Sequence, residues 1–346
     1  MFEALGKAVI NSVVVMPDFF VDRIVTLNSQ EEFCNTLAQK VNFGGGSLRN
    51  ISTTERKGGN AVNIAYCLAK LGVKKTTLFT VADEMGSAML KTVFSKFEDK
   101  VNLMIGKGKH GRTTSLEFLR GTGKKANVML NDAGDNEFFG SDKINSEVNL
   151  KILKEADAVL VVNWGSNLKG TELAQFAFSK SSGSFHFIDP ADIDLRKDEF
   201  RDFIREISND VNSLALNENE ANSLGNSMGM NSLLPASSYS EQDIRNAAKQ
   251  ISSRTAIDID LHTRLGAAWS DGKAIEFASA FQVEAKTLTG AGDSWDSANV
   301  VGYLSHLSPI ERLVFSNAYA SLYVRKSVAE PPTMDETLEF LSSEYH

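Results

Sequence analysis

Cysteine is nearly absent from this chain. Its 346 residues hold two, Cys34 and Cys67, in unrelated surroundings and with no Cys-x-x-Cys pair. Neither a disulfide framework nor a thiolate zinc site is indicated, and a reducing, cytoplasmic setting is expected. The five histidines show no metal-ligand spacing. Basic blocks are also missing: 36 Lys and Arg stand against 44 Asp and Glu, a net charge of −8. Nucleic acid and anionic membrane are therefore not expected partners. No apolar run is long enough to span a bilayer. The run at 9–16 is broken by Asn11 and Ser12, lacks a signal-like cleavage region and reads as a buried first strand. No Gly-x-x-x-x-Gly-Lys-Ser/Thr occurs, and no Gly-x-Gly-x-x-Gly follows the first strand, so neither a P-loop nor a dinucleotide fold is indicated.

Apolar residues make up 42% of the chain, enough for a sizeable core. Short apolar runs at 8–16, 76–82, 158–162, 185–188, 214–216 and 256–261 read as central parallel strands. Helical patterns fall at 60–71, 87–97, 170–180, 218–224, 240–252, 294–304, 309–325 and 334–342. The alternation predicts an α/β fold, a mostly parallel sheet with helices on both faces. Two regions depart from it. Residues 19–46 and 112–139 read as short alternating strands with turns at Gly121, Gly123, Asn131 and Gly134, and predict a small β-sheet lid. The whole chain, 1–346, reads as one domain carrying that lid. Residues 225–240, rich in Ser, Asn, Gly and Met, read as a surface loop.

Chemistry concentrates in a few places. Thr289-Gly290-Ala291-Gly292-Asp293 opens an amphipathic stretch. A small-residue turn at a helix start leaves N–H groups free for an anion. A carboxylate beside a bound phosphate repels it, so the simplest use of Asp293 is to take a proton from an attacking hydroxyl. That pattern points to phosphoryl transfer. Gly58 and Gly59 before a helix permit close backbone approach to a ligand, with Asn63 in the first turn; a plain helix entry reads the same. Asn217 and Glu220 follow a strand end, where a carboxylate near phosphates holds Mg²⁺ directly or through water; a helix start preferring acids is the competing reading. Asp18 and Asp22 flank the exit of the first strand, as polyol ligands or as an ordinary charged exit. His110 and His262 read as ordinary loop or strand residues. Trp164, Trp269 and Trp295 read as core or pocket wall.

Together these segments are more specific than apart. Gly58-Gly59-x-Ala61-x-Asn63-x-Ala65, ending at Leu71-Gly72, resembles the N-terminal signature of the ribokinase-like (PfkB) carbohydrate kinases. Thr289-Gly290-Ala291-Gly292-Asp293 resembles their C-terminal signature. Val81-Ala82-Asp83-Glu84-x-Gly86 and the Asn217-to-Glu220 element fall in order between them. The resemblance implies a ribokinase-like fold and a kinase using Mg²⁺ and ATP on a sugar, sugar acid or nucleoside hydroxymethyl group. By position, Asp293 would be the catalytic base, and Gly290, Ala291 and Gly292 the anion hole. Asp22, Gly58, Gly59 and Asn63 would hold the acceptor, Asp18 assisting. Asn217, Glu220, Thr263, Gly266 and Asn317 would serve the nucleotide, Glu220 also the metal. A lid-mediated homodimer is a further implication. An acceptor that is already phosphorylated would call for cations, and Arg49, Arg56, Lys57 and Arg112 are the candidates; a non-catalytic ligand sensor is the rival of another class. Lys286-Thr287-Leu288 replaces the family's acidic lead-in to the Gly-Ala-Gly turn, and 261–266 keeps only the last glycine of its nucleotide turn.

Overall fold

The structure, a computed structural model, describes residues 1–27, 29–119 and 125–344. Its strands are β1 (Val13–Met16), β2 (Phe20–Leu27), β3 (Ser52–Gly58), β4 (Thr76–Ala82), β5 (Val101–Lys107), β6 (Gly111–Leu119), β7 (Lys125–Asp132), β8 (Ala158–Val162), β9 (Phe185–Asp189), β10 (Ser213–Leu216), β11 (Asp258–Thr263), β12 (Gly266–Ser270) and β13 (Ile275–Ser279). Nine form one sheet in the order β13-β12-β11-β10-β9-β8-β1-β4-β5. Strands β11 to β5 in that order run parallel, and β12 and β13 add an antiparallel edge.

Each central strand is apolar on both faces because both faces are covered. Val13 and Val15 of β1 join Ala158, Leu160 and Val162 of β8 in one core, with the Asn60–Lys70, Ala291–Leu304 and Pro309–Arg325 helices. Val14, Met16, Val159 and Val161 enter the other core, with the Gly170–Lys180, Lys197–Glu206 and Glu241–Thr255 helices. This is the period-two signature of a sheet buried on two sides, and it explains why continuous apolar runs located these strands. The chain passes from β1 through β4 to β5, then returns to β8 on the other side of β1. A crevice opens at the carboxyl ends of the strands at such a reversal.

The second sheet, β3-β2-β6-β7, forms the lid beside that crevice. Its make-up differs from the sequence expectation. Segment 19–46 supplies one strand and then a helix, Gln30–Asn42, capped by the Ser29 side chain, with Phe33, Leu37 and Val41 at four-residue spacing. The missing strand is β3, whose Ser-Thr-Thr-Glu-Arg-Lys run has no apolar alternation; it exists because it pairs along β2 from Phe20 to Thr26. Asn131 lies inside β7 rather than in a turn, and Gly121 and Gly123 fall outside the described residues. The 225–240 loop is pinned, with Met230 and Leu234 buried and Asn222 bonded to both backbone groups of Leu234. Among the described residues no helix is long and apolar enough to cross a membrane.

Candidate active site

Every strand that borders the crevice delivers a polar group to it. Asp18 follows β1, Asn163 follows β8, Asp189 ends β9, Asn217 follows β10 and His262 lies at the end of β11. With the lid they enclose a cavity of about 410 Å³, into which Asp293 and Gly292 also project.

The two glycines at the lid hinge have separate uses. A side chain at Gly58 would occupy the place of the Asp22 carboxyl, so glycine there makes room for that acid. Gly59 has φ +94°, and a Cβ on it would stand 2.8 Å from the Asp18 carbonyl oxygen. Only glycine accepts both that backbone and that approach. Gly59 supplies no side-chain cap to the Asn60–Lys70 helix. Asp18 does so instead: its carboxylate accepts the Asn60 and Ala61 N–H, each at 2.8 Å, and the Asn163 amide at 3.0 Å. Asp18 is thus committed to structure as well as bordering the cavity.

Lid register decides which side chains face inward. Asp22 of β2 pairs with Arg56 of β3 and Thr113 of β6, and Thr113 pairs with Asn131 of β7. All four line the cavity. Burial raises the Asp22 carboxyl above its ordinary range, while Arg56, the Thr113 hydroxyl and Lys57 pull it back. Arg112, one residue from Thr113, takes the opposite face, where it is 3.8 Å from Asp83. The expectation that Arg112 binds the acceptor is corrected by this parity; the inward cation is Arg56.

At the opposite wall, Gly290 at φ +86° starts the Ala291–Leu304 helix, and a Cβ on it would lie 2.5 Å from the Tyr323 hydroxyl oxygen. That hydroxyl donates to the Thr289 carbonyl at 2.8 Å and holds the turn. The Ala291 N–H is spent on the Leu288 carbonyl at 3.1 Å. Ala291 therefore does not contribute an anion-hole donor. Among the described residues no acceptor meets the N–H of Gly292 or Asp293, the two groups left for an anion. The Asp293 carboxylate accepts from the Asn63 amide at 2.8 Å. Burial, reinforced by Asp189, pushes its pKa up to about 8, and the Asn63 bond opposes that rise.

Asn217 and Glu220 meet the helix-start reading. They form a capping box at the Glu218–Ser227 helix, with the Glu220 carboxylate accepting the Asn217 N–H at 2.8 Å and its amide at 2.6 Å. Both also line the cavity. Thr263 and Gly266 close the β11–β12 hairpin, the Thr263 hydroxyl donating to the Gly266 carbonyl at 2.8 Å, at the border of the site rather than in its wall. Asn317 is engaged throughout: its amide donates to the Ala278 and Ser279 carbonyls and accepts from Trp295 Nε1. Both amide hydrogens are therefore already used within the protein. Lys286 is exposed and does not line the cavity.

Several site residues had escaped the sequence reading. Asn163 and Asp189 end strands just as Asn217 does, so the rule that found Asn217 extends to them. His262 and Asp296 offered no such signal. Asp296 is fully buried, neither carboxylate oxygen meets a donor, and His262 Nε2 is 4.0 Å away. Burial, with Asp189 and Asp293 as like-charged neighbours, holds the Asp296 carboxyl well above its usual range. Burial and Asp189 act on Glu220 in the same direction.

These raised acids set a sign for stability. The unfolded chain releases the Asp293 proton near 3.8 and the folded chain keeps it to about 8. Between those values the native state binds more protons, so stability falls as pH rises through that window. The melting temperature of the nucleotide-free protein is expected to be higher at pH 6 than at pH 8. Asp296→Asn removes a buried acid crowded by Asp189 and Asp293 and is expected to raise the pH 8 value by about 2–4 °C. A lower melting temperature in that variant by scanning calorimetry would refute the assignment.

The fold and crevice define a class: a doubly covered α/β architecture with a β-lid. The likeness to solved structures is one of fold. Arabidopsis thaliana ribokinase complexed with ribose and ATP is 19% identical at TM-score 0.70, over 96% of this chain and 99% of that one. A mutant of Escherichia coli phosphofructokinase-2 is 16% identical at TM-score 0.68, over 98% and 100%. Adenosine kinase from Sinorhizobium meliloti is 16% identical at TM-score 0.71, over 98% and 100%. No curated protein matches the chain by sequence. The family model of the pfkB family carbohydrate kinases matches residues 27–336, and the chain belongs to that family.

Proposed function

We propose that this carbohydrate kinase moves the γ-phosphoryl group of ATP to a hydroxymethyl group of a sugar, sugar acid or nucleoside. The observation that carries the proposal is the Asp293 carboxylate, which stands in the lidded cavity at a helix start beside two unpartnered backbone N–H groups. The acceptor lies against the lid face, its hydroxyls meeting Asp22, Thr113 and Asn131. Its reacting hydroxyl gives a proton to Asp293 and attacks the phosphoryl group in line. The Gly292 and Asp293 N–H groups receive the charge that develops on the transferred oxygens. Closure of the lid excludes water, so that the nucleotide is not hydrolysed instead.

The chemistry of the donor set fits Mg²⁺. Asp189 and Glu220 bring carboxyl oxygens to the cavity with the buried Asp296 nearby, and a bound dication would favour the ionised forms that burial and crowding now oppose. Among the described residues no three ligating side chains form a closed cage, which suits a cation that takes one or two carboxylates and completes its shell with phosphate and water. Glu220, oriented by Asn217, would hold it, and the bound ion would neutralise charge on the phosphate oxygens. A homodimer contact through the lid and a cytoplasmic setting belong to the same proposal.

Arg56 supports a second reading, in which the acceptor carries an anionic group such as a phosphate. Lys57 follows it in β3, and both border a small side cavity with Asp22 and Tyr323. The test is a coupled nucleotide-release screen over pentoses, hexoses, their phosphates, 2-keto-3-deoxy acids and nucleosides. Saturable binding without turnover on every acceptor would favour a sensor over a kinase. If the acceptor is anionic, Arg56→Met is expected to lower kcat/KM for it by about 10- to 100-fold, leaving neutral acceptors within a few-fold. Equal losses on both kinds would sink the anion reading.

A further inference from the structure

We propose that Lys57 is a positioning residue that locks the Asn63 amide so that its NH₂ end faces Asp293, an inference that rests on Asp293 being the base. The two ends of an asparagine amide are nearly identical in shape, and neighbours decide which way it points. Here the neighbours have opposite demands. Lys57 Nζ carries only donors and stands 2.7 Å from Asn63 Oδ1. An ionised Asp293 carries only acceptors and stands 2.8 Å from Asn63 Nδ2. The bonds run one way, from ammonium to amide to carboxylate. Each is charge-assisted, and turning the amide would set oxygen against oxygen at one end and N–H against ammonium at the other.

Strand parity puts Lys57 there. It neighbours Arg56 on β3, so where Arg56 faces the main cavity, Lys57 turns toward the Asn60–Lys70 helix. Its Nζ lies 4.8 Å from the centre of the Tyr66 ring. Tyr66 in turn donates to Glu330 at 3.2 Å. Burial works against the Lys57 charge, while Cys67, Asp293 and Glu330 support it and Arg56 opposes it. Around Asp293 the like charges are Asp189 and Asp18, and Lys57 opposes them. Lys57 thus favours the ionised base in two ways, by its own charge and by holding the amide that donates to it. The signature run Gly58-Gly59-x-Ala61-x-Asn63 does not include this residue, so the motif alone gives it no role.

The experiment reads Asp293 directly in the full-length, nucleotide-free protein. Carboxyl-carbon NMR of ¹³C-aspartate protein follows the Asp293 titration, assigned by the resonance lost in Asp293→Asn. Lys57→Met keeps the stem against Tyr66 and removes charge and donor; it is expected to raise the Asp293 pKa by about one unit. Lys57→Arg is expected to restore it, and Lys57→Gln, which keeps a donor without charge and packs alike if Met does not fold, to fall between. With the best acceptor from the screen, Lys57→Met is expected to lower kcat at pH 7 by about tenfold with KM for ATP unchanged. An Asp293 titration in Lys57→Met or Lys57→Gln that coincides with wild type overturns the proposal. Failure of the underlying reading looks different, since then Asp293→Asn itself keeps its phosphotransfer rate.

Discussion

Asp293→Asn is expected to lower kcat by about 10³- to 10⁴-fold while ATP and acceptor still bind. A positioned general base contributes about 10²- to 10⁴-fold, and an amide of the same shape cannot accept the hydroxyl proton. The substitution spares the fold for a stated reason. Asp293 lies in a cavity wall and, among the described residues, its side chain bonds only the Asn63 amide, whose NH₂ an asparagine Oδ1 at position 293 can still accept. It also removes one of several crowded acids, so the variant is expected to melt no lower than wild type at pH 8. The wild-type rate carries a matching pH signature. With the Asp293 pKa pushed up to about 8, the base is mostly protonated at pH 7 in the free enzyme. Activity in terms of kcat/KM is therefore expected to climb between pH 6 and 8 and then level. Bound phosphates add negative charge and move that rise upward, whereas a cation on Glu220 moves it down. Retention of most of the rate in Asp293→Asn would remove Asp293 from the chemistry altogether.

Asp18→Ala is expected to act on stability, lowering it by about 2–4 kcal/mol in urea unfolding with an unchanged slope. Its carboxylate satisfies two first-turn N–H groups of a buried helix and the Asn163 amide at once. Alanine leaves those donors without acceptors, at a cap loss of about 1 kcal/mol and a further 1–3 kcal/mol for the stranded donors. Asp18→Asn, which keeps one acceptor oxygen, is expected to lose about half as much. The same helix carries Asn63, so acceptor affinity falls too, through position rather than contact. An alanine variant as stable as wild type, with only KM raised, would return Asp18 to the role of acceptor ligand expected from sequence.

Much of the architecture was legible before any coordinates. The runs at 76–82 and 158–162 match β4 and β8, and the 170–180 and 309–325 patterns match their helices to the residue. Strands buried on two faces must be apolar throughout, and helices buried on one face must repeat at 3.6 residues; both leave plain patterns. Elements held by pairing or by short-range capping left less. β3 is polar, β12 and β13 lie at an antiparallel edge, and the Gln30–Asn42 helix buries no residue of its own.

The Gly-Ala-Gly-Asp turn and the Gly58-Gly59 entry were readable because local backbone demands force the residue type: a positive φ at Gly290 and Gly59 admits little but glycine. Such constraints act within a few residues, and one sequence records them. The sequence by itself therefore settled an α/β chain whose C-terminal part holds a helix start, two glycines and a carboxylate. What it left open was which distant groups share that carboxylate's surroundings. Only the tertiary structure brought Asn63 from 230 residues away to Asp293, set Asp18 as the cap of a helix 42 residues on, and turned Arg56 inward and Arg112 outward. Those relations follow from strand register and sheet order, and a shift of one residue in register reverses them while the composition stays the same.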